Sequence, residues 1–325
     1  MRLGWQATLL LVLAATSSCA RRESDPLRIA INLWPGFEYF YLAQELGYFR
    51  DAGVEVRLVE QTSLRDSRRA YVRGLVDGLL ATPTDVAALE LEGGRAAAVH
   101  QVFDESDGGD VIIARDPIRT VQDLRGRRIA IEPGLGNYFL HRALELANLR
   151  PHEVAVVDEP FTAAAESLCN GSVDAIHSYP PTIEQLAKLT DGQFHIVFTS
   201  ARLPHEILDL LIVDPRIARE RASDLAKFER AYDRAVAFAQ EHPDIAYRVM
   251  ADREGVSADA FASVARNNLR MIAPEDRPKY LAPGGPVATA VGRSLAILRE
   301  CQMTSRRYAG VPSVDPRQAP PTKAD

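Results

Sequence analysis

The sequence predicts an α/β protein in which strands alternate with helices, and three observations support this prediction. Residues 27–58 read as strand, turn, helix and strand, because alternating apolar residues give way to helical spacing and then alternate again. The same succession continues to about residue 200. Residues 225–298 instead carry apolar residues at helical spacing. Alternating strands and helices predict mainly parallel sheets, with ligand sites at the carboxyl ends of the strands.

The first unit begins with a strand at 27–31, followed by a turn at Trp34-Pro35-Gly36. A helix is expected at 37–49, and residues 54–56 restart a strand. A tryptophan in a turn has little core to fill unless it walls a cleft. The loop after the first strand is therefore the first candidate ligand site.

The later elements follow in order along the chain. Strands are predicted at 78–81, 97–103, 110–114, 128–131, 154–157 and 173–176. Helices are predicted at 64–76, 82–92, 137–147, 163–169, 224–240 and 258–268. Residues 104–109 are expected to form a polar loop between two strands. The loops that follow the strands, at Trp34, Thr82, Asp104 and Glu132, are expected to lie together at the ligand-binding edge.

The N-terminus has the features of an export signal. Arg2 precedes an apolar run at 7–15 that is shorter than a membrane span, and small residues follow it, so residues 1–19 are expected to be a signal peptide. Cys19 stands where a lipoprotein carries its lipidated cysteine, although Ser18-Cys19-Ala20 also suits ordinary cleavage. The mature protein is therefore expected in the periplasm or cell envelope, with a lipid anchor as its only link to a membrane.

Composition narrows the classes of function. The 325 residues are enough for two lobes with full cores, and 46% hydrophobic content suits a globular protein. With 38 basic and 44 acidic side chains the net charge is −6, which argues against a nucleic-acid partner. Cys169 and Cys301 are expected to be buried free thiols. The proline-containing segment 303–325 is expected to be a disordered tail.

Motifs of catalysis and metal binding are missing from the sequence. It contains no G-x-S-x-G elbow, no Walker A loop and no H-E-x-x-H pair. Gly134-Leu135-Gly136 opens a helix and either presents amides to an anion or forms a plain tight turn. The acidic stretch 104–110 lacks the spacing of a calcium loop. We therefore expect no catalytic residue, no metal and no cofactor, and a protein that is not an enzyme.

Several short motifs resemble, in the same order, those of a known family. They are Trp34-Pro35-Gly36, LAQELGYF at 42–49, DxSxGxD at 104–110, VQDLRG at 121–126, GSVDA at 171–175 and PHEILD at 204–209. Together they resemble the solute-binding proteins of bacterial ABC importers, in the nitrate, taurine, alkanesulfonate and thiamine-pyrimidine-precursor group. The likeness spans about 27–285. Two positions depart from the family pattern: Tyr179 replaces a frequent acidic residue, and His205 replaces a usual glycine.

The resemblance implies a two-lobed periplasmic-binding-protein fold of type II, each lobe a mainly parallel sheet flanked by helices. Lobe 1 would comprise 26–112 and 206–302, and lobe 2 would comprise 113–205. The lobes would close on a small-molecule ligand, and the closed monomer would dock on an ABC permease and ATPase complex. The candidate ligand-binding residues are Trp34, Glu38, Tyr39, Thr84, Asp85, Asp104, Ser106, Gly136, Asn137, Tyr138 and Tyr179.

The sequence does not decide the class of ligand, and it leaves two other functions open. Helix N-termini suit sulfonate or nitrate, whereas stacking by Trp34 or Tyr179 with a carboxylate from Glu38 or Asp104 suits an amine, amidine or aminopyrimidine. One alternative is a lipoprotein that carries or senses a different, even hydrophobic, ligand for a partner that is not an ABC permease. An enzyme on the same fold is the other, and the export signal argues against it.

Overall fold

A computed structural model describes residues 25–180, 182, 183, 186 and 193–308 of the protein. Cys19, the predicted signal peptide and residues 309–325 lie outside the described residues. The last described helix extends to Tyr308, into the segment predicted as a tail. None of the described helices is both long and apolar enough to cross a lipid bilayer.

Strands and helices alternate through the first two thirds of the chain. The strands are β1 (Leu27–Ile31), β2 (Val56–Glu60), β3 (Gly78–Ala81), β4 (Ala98–Ser106), β5 (Val111–Arg115), β6 (Arg128–Ile131), β7 (Ala155–Asp158), β8 (Ala175–Ser178), β9 (Phe194–Thr199), β10 (Leu208–Val213) and β11 (Leu269–Met271). The helices are α1 (Glu38–Glu45), α2 (Tyr48–Asp51), α3 (Leu64–Val72), α4 (Pro83–Glu92), α5 (Leu135–Leu146), α6 (Phe161–Cys169), α7 (Pro215–Glu220), α8 (Ala222–Glu241), α9 (Pro243–Glu254), α10 (Ala258–Asn267), α11 (Arg277–Leu281) and α12 (Pro286–Tyr308).

The strands form two sheets, which divide the chain into two lobes. The first sheet has the order β11-β4-β10-β3-β1-β2 and the second has the order β7-β6-β8-β5-β9. The chain passes from the first sheet to the second between β4 and β5, and it returns between β9 and β10. The predicted two-lobed α/β fold class is confirmed. The first crossover ends at Val111, where β5 begins, just before the predicted lobe boundary.

Both sheets are mixed, whereas the sequence predicted mainly parallel ones. β1 pairs parallel with β2 and β3, and β6 pairs parallel with β7 and β8. β10 runs antiparallel to β3 and β4, and β5 runs antiparallel to β8 and β9. The antiparallel pairs all involve a strand beside a crossover. Strand alternation predicts the parallel βαβ units but not the direction of a strand that enters from the other lobe.

Two local predictions are corrected. The single helix expected at 37–49 is divided into α1 and α2, because Gly47 adopts the left-handed conformation (φ 73°) that suits glycine. The polar loop expected at 104–109 is wrong in its first half, since Asp104, Glu105 and Ser106 complete β4 and are buried. The ladder partners in β10 and β11 hold these polar residues in the sheet despite their low strand propensity.

Aromatic packing fixes the helices of lobe 1 on their sheet. The ring of Phe40 on α1 lies 5.0 Å from Phe103 on β4 and 5.0 Å from Phe228 on α8. Tyr232 completes this cluster 4.4 Å from Phe40. The first helix is therefore anchored to the core, and the turn before it is held in a defined place above the sheet.

The two cysteines lie apart and form no disulfide with each other. Cys169 is exposed at the end of α6, and Cys301 is half-buried on α12. The prediction of buried thiols is thus wrong for Cys169. Ala164 and Leu168 are buried one turn apart on the same face of α6, and Cys169 lies about 100° around the helix from Leu168, outside that face.

Candidate functional site

An inner cavity lies where the two lobes meet. Its wall includes Asn32, Trp34, Thr82 and Asp209 from lobe 1, Tyr179 from lobe 2, and Asp110 and Ile207 from the crossovers. Its volume is about 20 Å³, which is room for one group the size of a water molecule. The lobes are therefore close together in this structure.

An outer groove of about 1250 Å³ adjoins the inner cavity. Consecutive residues line the two spaces, since Leu64 and Leu135 face the cavity while Arg65 and Gly134 face the groove. The groove runs between α3, α4 and α12 of lobe 1 and α5 of lobe 2. The groove and the inner cavity thus lie near each other between the lobes.

Aromatic rings from both lobes meet beside the inner cavity. Trp34 of lobe 1 contacts Tyr179 of lobe 2 edge-to-face, with ring centroids 5.8 Å apart. Tyr179 stacks in turn on Phe161 at the start of α6, at 4.3 Å. Sequence reasoning selected Trp34 and Tyr179 but missed Phe161. Its position directly after β7 and Pro160, at the carboxyl end of a parallel strand, is the signal that could have indicated it.

Two aspartates lie side by side beneath Trp34, and we call them the acidic pair. Asp104 on β4 is directly opposite Asp209 on β10, and both side chains are buried. The Trp34 Nε1 group donates to Asp104 Oδ1 at 3.5 Å. Sequence reasoning selected Asp104 but missed Asp209. A single charged residue inside the apolar run of β10 is the signal that it did not use.

The environment of the acidic pair raises both pKa values. Burial raises the pKa of Asp104 to about 6. Burial, and then the charge of Asp104, raises the pKa of Asp209 well above its usual range. Two like charges opposite each other in a sheet disfavour simultaneous ionisation. The pair therefore holds one proton near neutral pH.

Gly36 leaves the space that the acidic pair requires. A Cβ atom at this position would lie 2.6 Å from Asp104 Oδ1 and 2.7 Å from Oδ2. We expect Gly36→Ala to destabilise the protein by about 1–3 kcal/mol, because the carboxylate or the turn must move. Urea unfolding would measure this change. Gly292→Ala is the control, since its Cβ would meet no atom within 4 Å, and an equal loss in both variants would contradict the expectation.

A serine network joins the two crossovers. Ser106 Oγ lies 2.8 Å from Ser200 Oγ, and Ser200 Oγ also accepts a hydrogen bond from the Gly108 amide at 2.7 Å. Ser106 Oγ accepts another from the Asp110 amide at 2.9 Å. Ser106, a sequence-predicted ligand residue, thus connects the crossovers. Asp110 was not selected, but it lines the inner cavity, with Oδ1 3.2 Å from His177 Nε2.

His205 occupies a backbone conformation that favours glycine. Its φ is 61°, in the left-handed region, which accounts for the family's usual glycine here. The His205 Nδ1 atom lies 2.8 Å from Glu105 Oε2, and its ring contacts Tyr280 edge-on at 5.5 Å. These contacts hold the return crossover against lobe 1.

Glu38 and Tyr39 point away from the inner cavity, into the helical layer of lobe 1. Arg253 Nε donates to Glu38 Oε2 at 2.9 Å, and burial raises the pKa of Glu38 to about 7. Tyr39 packs edge-on against Tyr232 at 6.3 Å. The dense group of aromatic and acidic residues after Trp34 is therefore mainly core, because α1 turns this face toward α8 and α9.

Thr84 and Asp85 serve the start of α4. Asp85 Oδ2 accepts hydrogen bonds from the Thr82 amide and hydroxyl, both at 2.8 Å, in a capping box. Arg68 donates to the other carboxylate oxygen. Thr84 Oγ1 lies 3.4 Å from Ser294 Oγ on α12. Of this segment, Thr82 is the residue that reaches the inner cavity.

The start of α5 faces the outer groove. The Asn137 side chain accepts from the Gly134 amide at 2.9 Å, and both residues line the groove. Gly136 is packed so closely that a Cβ would lie 2.9 Å from Ile131 Cβ. The hydrogen bond between Gly134 and Asn137 thus caps the N-terminus of α5, whereas Gly136 allows the helix to pack closely against Ile131.

Tyr138 belongs to a polar cluster between the lobes, which we call the Glu206 cluster. The Tyr138 hydroxyl donates to Glu206 Oε2 at 2.6 Å, and Arg142 donates to both carboxylate oxygens at 2.8 and 2.9 Å. Arg293 on α12 of lobe 1 donates to the same carboxylate. The return crossover is therefore hydrogen-bonded to both lobes at one residue.

Comparison with solved structures identifies the fold. The periplasmic aliphatic sulphonate binding protein SsuA from Escherichia coli is 19% identical, with a TM-score of 0.69 over 86% of this chain and 93% of that one. The periplasmic nitrate-binding protein NrtA from Synechocystis PCC 6803 is 11% identical, with a TM-score of 0.65 over 89% and 91%. The desulfurization enzyme DSZB is 18% identical, with a TM-score of 0.57 over 85% and 92%. Binding proteins and an enzyme thus share this fold.

Comparison of sequences identifies the family. No curated protein matches the chain. The model of the family described as NMT1/THI5 like matches residues 34–246, which is well over half of the 325 residues. The match begins at Trp34, the first of the ordered motifs, and the resemblance that these motifs predicted is confirmed. The protein belongs to the NMT1/THI5-like family.

Proposed function

We propose that this protein is an extracytoplasmic solute-binding protein that captures a small organic solute between its lobes and delivers it to an ABC importer. The solute would be of the sulfonate, nitrate or aminopyrimidine type. The observation that carries this proposal is the inner cavity, whose wall combines residues of both lobes and of both crossovers. A solute held there would contact both lobes at once, so its binding would favour the closed arrangement.

The crossovers are the proposed hinge, and lobe 1 (26–112 and 206–302) and lobe 2 (113–205) are the proposed rigid bodies. The segments between β4 and β5 and between β9 and β10 connect the two sheets, and Ser106 and Ser200 hydrogen-bond across them. Rotation about two adjacent segments opens the lobes without disturbing either core. Solute binding would then shift a population of open and closed forms and make or break no covalent bond.

The cellular setting belongs to the same proposal. Residues 1–19 would direct export, and Cys19 would carry the lipid anchor. The protein would then act in the periplasm as a monomer, beside the permease and ATPase that receive the solute. SsuA and NrtA are both described as periplasmic, which supports this placement.

A carrier or sensor of an apolar ligand is a second candidate, favoured by the outer groove. The groove combines a volume of about 1250 Å³ with apolar side chains, including Leu91, Val156 and Leu298. A space of this size is ample for a lipid chain. The two candidates differ in where the ligand lies, in the inner cavity for import and in the outer groove for the carrier.

A thermal-shift screen of the ligand-free protein tests the proposal. Sulfonates, nitrate, aminopyrimidines, amines and lipids would be titrated, and we expect one class to raise the melting temperature to a plateau, because stabilisation follows occupancy. Trp34→Ala should weaken the binding of that solute about 10-fold or more, since the substitution removes an aromatic wall of the cavity.

Tyr48→Ala is the matched control for Trp34→Ala, because Tyr48 stacks under Arg234 and does not line the cavity. It should leave the affinity unchanged. Unaltered binding in Trp34→Ala would place the solute elsewhere. A plateau with lipids alone, abolished by Leu298→Glu in the groove, would favour the carrier.

A further inference from the structure

We infer that the inner cavity recognises an organic cation, an ammonium or amidinium head group, rather than a sulfonate or nitrate. This inference rests on the proposed function, because it names the class of solute that the cavity would hold. Hydrogen-bond polarity, charge, aromatic walls and size of the cavity each lead to the same class.

The unpaired polar atoms of the cavity are hydrogen-bond acceptors. Asn32 Oδ1 and Asp209 Oδ2 belong to buried side chains that line the cavity, and neither accepts a hydrogen bond from any described residue. Asp104, which pairs with Asp209 in the sheet, also has one oxygen, Oδ2, without a hydrogen-bond donor among the described residues. One of the two N–H groups of the Asn32 side-chain amide donates to the Leu33 carbonyl. Asn32 Oδ1 and the ionised carboxylate of the acidic pair accept hydrogen bonds, so a ligand that donates can satisfy them, whereas sulfonate and nitrate only accept.

The charge of the cavity is negative. Asp110 and Asp209 line it, and Asp104 lies beside Asp209. Among the described residues that line the cavity, none is Lys or Arg. Arg277, whose charge acts on Asp104, donates instead to Asp233 and to the Ile272 carbonyl. In a buried site such carboxylates attract a cation and repel an anion strongly, because little water screens them.

The groups that face these carboxylates leave room for one more donor. Trp34 Nε1 donates a hydrogen bond to Asp104 Oδ1, and His177 Nε2 lies within hydrogen-bond distance of Asp110 Oδ1. Asp209 Oδ2 accepts no hydrogen bond from Lys or Arg among the described residues, and Asp209 interacts instead with the Trp34 side chain and with the proton shared within the acidic pair. An ammonium group would replace this proton as the positive charge between the oxygens.

The aromatic walls complete a cation site. Trp34, Phe37 and Tyr179 line the cavity, and the planes of Trp34 and Tyr179 meet at 72°. Two rings at such an angle present ring surfaces on different sides of a bound group, as in the aromatic cages that bind ammonium ions. The volume of about 20 Å³ matches an ammonium nitrogen, which is close to a water molecule in size, and the rest of the molecule would extend past Leu64 and Leu135 into the outer groove.

Three ligands that share one ring and differ in the head group test the inference: benzylamine, benzyl alcohol and phenylmethanesulfonate, with benzamidine as a second cation. Thermal shift and calorimetric titration of the purified protein would be run at pH 7.5 and constant ionic strength. We expect benzylamine or benzamidine to bind at least 10-fold more tightly than the alcohol and the sulfonate. Asp209→Asn should weaken cation binding at least 10-fold.

Asp276→Asn is the matched control, because Asp276 is an exposed carboxylate of lobe 1 that pairs with Lys279. It should leave cation binding unchanged. A sulfonate or alcohol that binds the wild type and Asp209→Asn equally would overturn the cation inference and leave solute capture intact. Failure of every head group to bind would count against both. Equal stabilisation by sodium chloride alone would also overturn the inference, since it would show no preference for an organic cation.

Discussion

Replacing Asp104 with asparagine is expected to stabilise the ligand-free protein at pH 8 by about 2–3 kcal/mol. The pKa of Asp104 is raised from 3.8 to about 6 by burial, and each pKa unit corresponds to about 1.4 kcal/mol. Asparagine has nearly the same shape, and its Oδ1 still accepts the hydrogen bond from Trp34. Its amide group can donate to Asp209, so the substitution removes the charge and keeps the contacts.

The pH dependence follows from the same pKa. Because the folded protein holds the Asp104 proton more tightly than the unfolded chain does, the stability of the wild type should fall as pH rises from about 4 to 6. The protonated Asp209, with its still higher pKa, extends the fall toward alkaline pH. Asp104→Asn should show a shallower decline. Urea unfolding at pH 5 and pH 8 measures both effects.

The control for this experiment is Asp51→Asn. Asp51 is an exposed carboxylate that pairs with Arg234 on the surface of lobe 1, where water and salt screen its charge. Its replacement should change the stability by less than about 1 kcal/mol at either pH. A loss of stability in Asp104→Asn at pH 8, or an undiminished pH dependence, would show that ionisation of the buried Asp104 does not destabilise the folded protein.

Glu206→Gln is expected to destabilise the protein by about 2–3 kcal/mol and to loosen the contact between the lobes. The glutamate accepts hydrogen bonds from Tyr138 and Arg142 of lobe 2 and from Arg293 of lobe 1. Loss of one member of a buried ion pair costs roughly 3–5 kcal/mol, and the partly open surroundings of Glu206 reduce this figure. Burial acts to raise the pKa of Glu206, but the hydrogen bonds from Arg142 and Tyr138 outweigh it and lower the pKa.

Glu145→Gln is a close control, because Glu145 pairs with the same Arg142 but lies on the same helix and is exposed. It should cost less than about 1 kcal/mol and leave the lobes in place. Urea unfolding at pH 7 gives the stability, and small-angle X-ray scattering gives the radius of gyration. We expect the radius to increase in Glu206→Gln alone. Identical behaviour of the two variants would mean that the Glu206 cluster does not connect the lobes.

Local patterns predicted most of the elements correctly. The strand Gly78–Ala81 was predicted to the residue, because a short apolar run stands between a helix and the Thr-Pro-Thr-Asp capping segment. Trp34 was predicted as a cleft wall from its turn, and its ring lies beside the inner cavity while it also packs in the core of lobe 1. In each case the information lies within a few neighbouring residues.

Contacts between distant segments could not be predicted in this way. Asp104 and Asp209 become neighbours only because β10 returns from lobe 2 and lies beside β4. The same return makes the first sheet mixed. The ion pair of Glu38 could not be predicted for a related reason, since its partner Arg253 lies on a helix that follows both crossovers. The composition of a segment does not reveal which distant strand or helix will face it.

The position of β10 in the middle of the first sheet has a consequence for the order of folding. β10 lies between β3 and β4, yet it follows the whole of lobe 2 in the chain. The four strands that precede lobe 2 therefore remain an incomplete sheet until Val213 has left the ribosome. Pairings across so long a stretch form slowly. We expect this delay to appear as slow refolding of the wild type after dilution from urea.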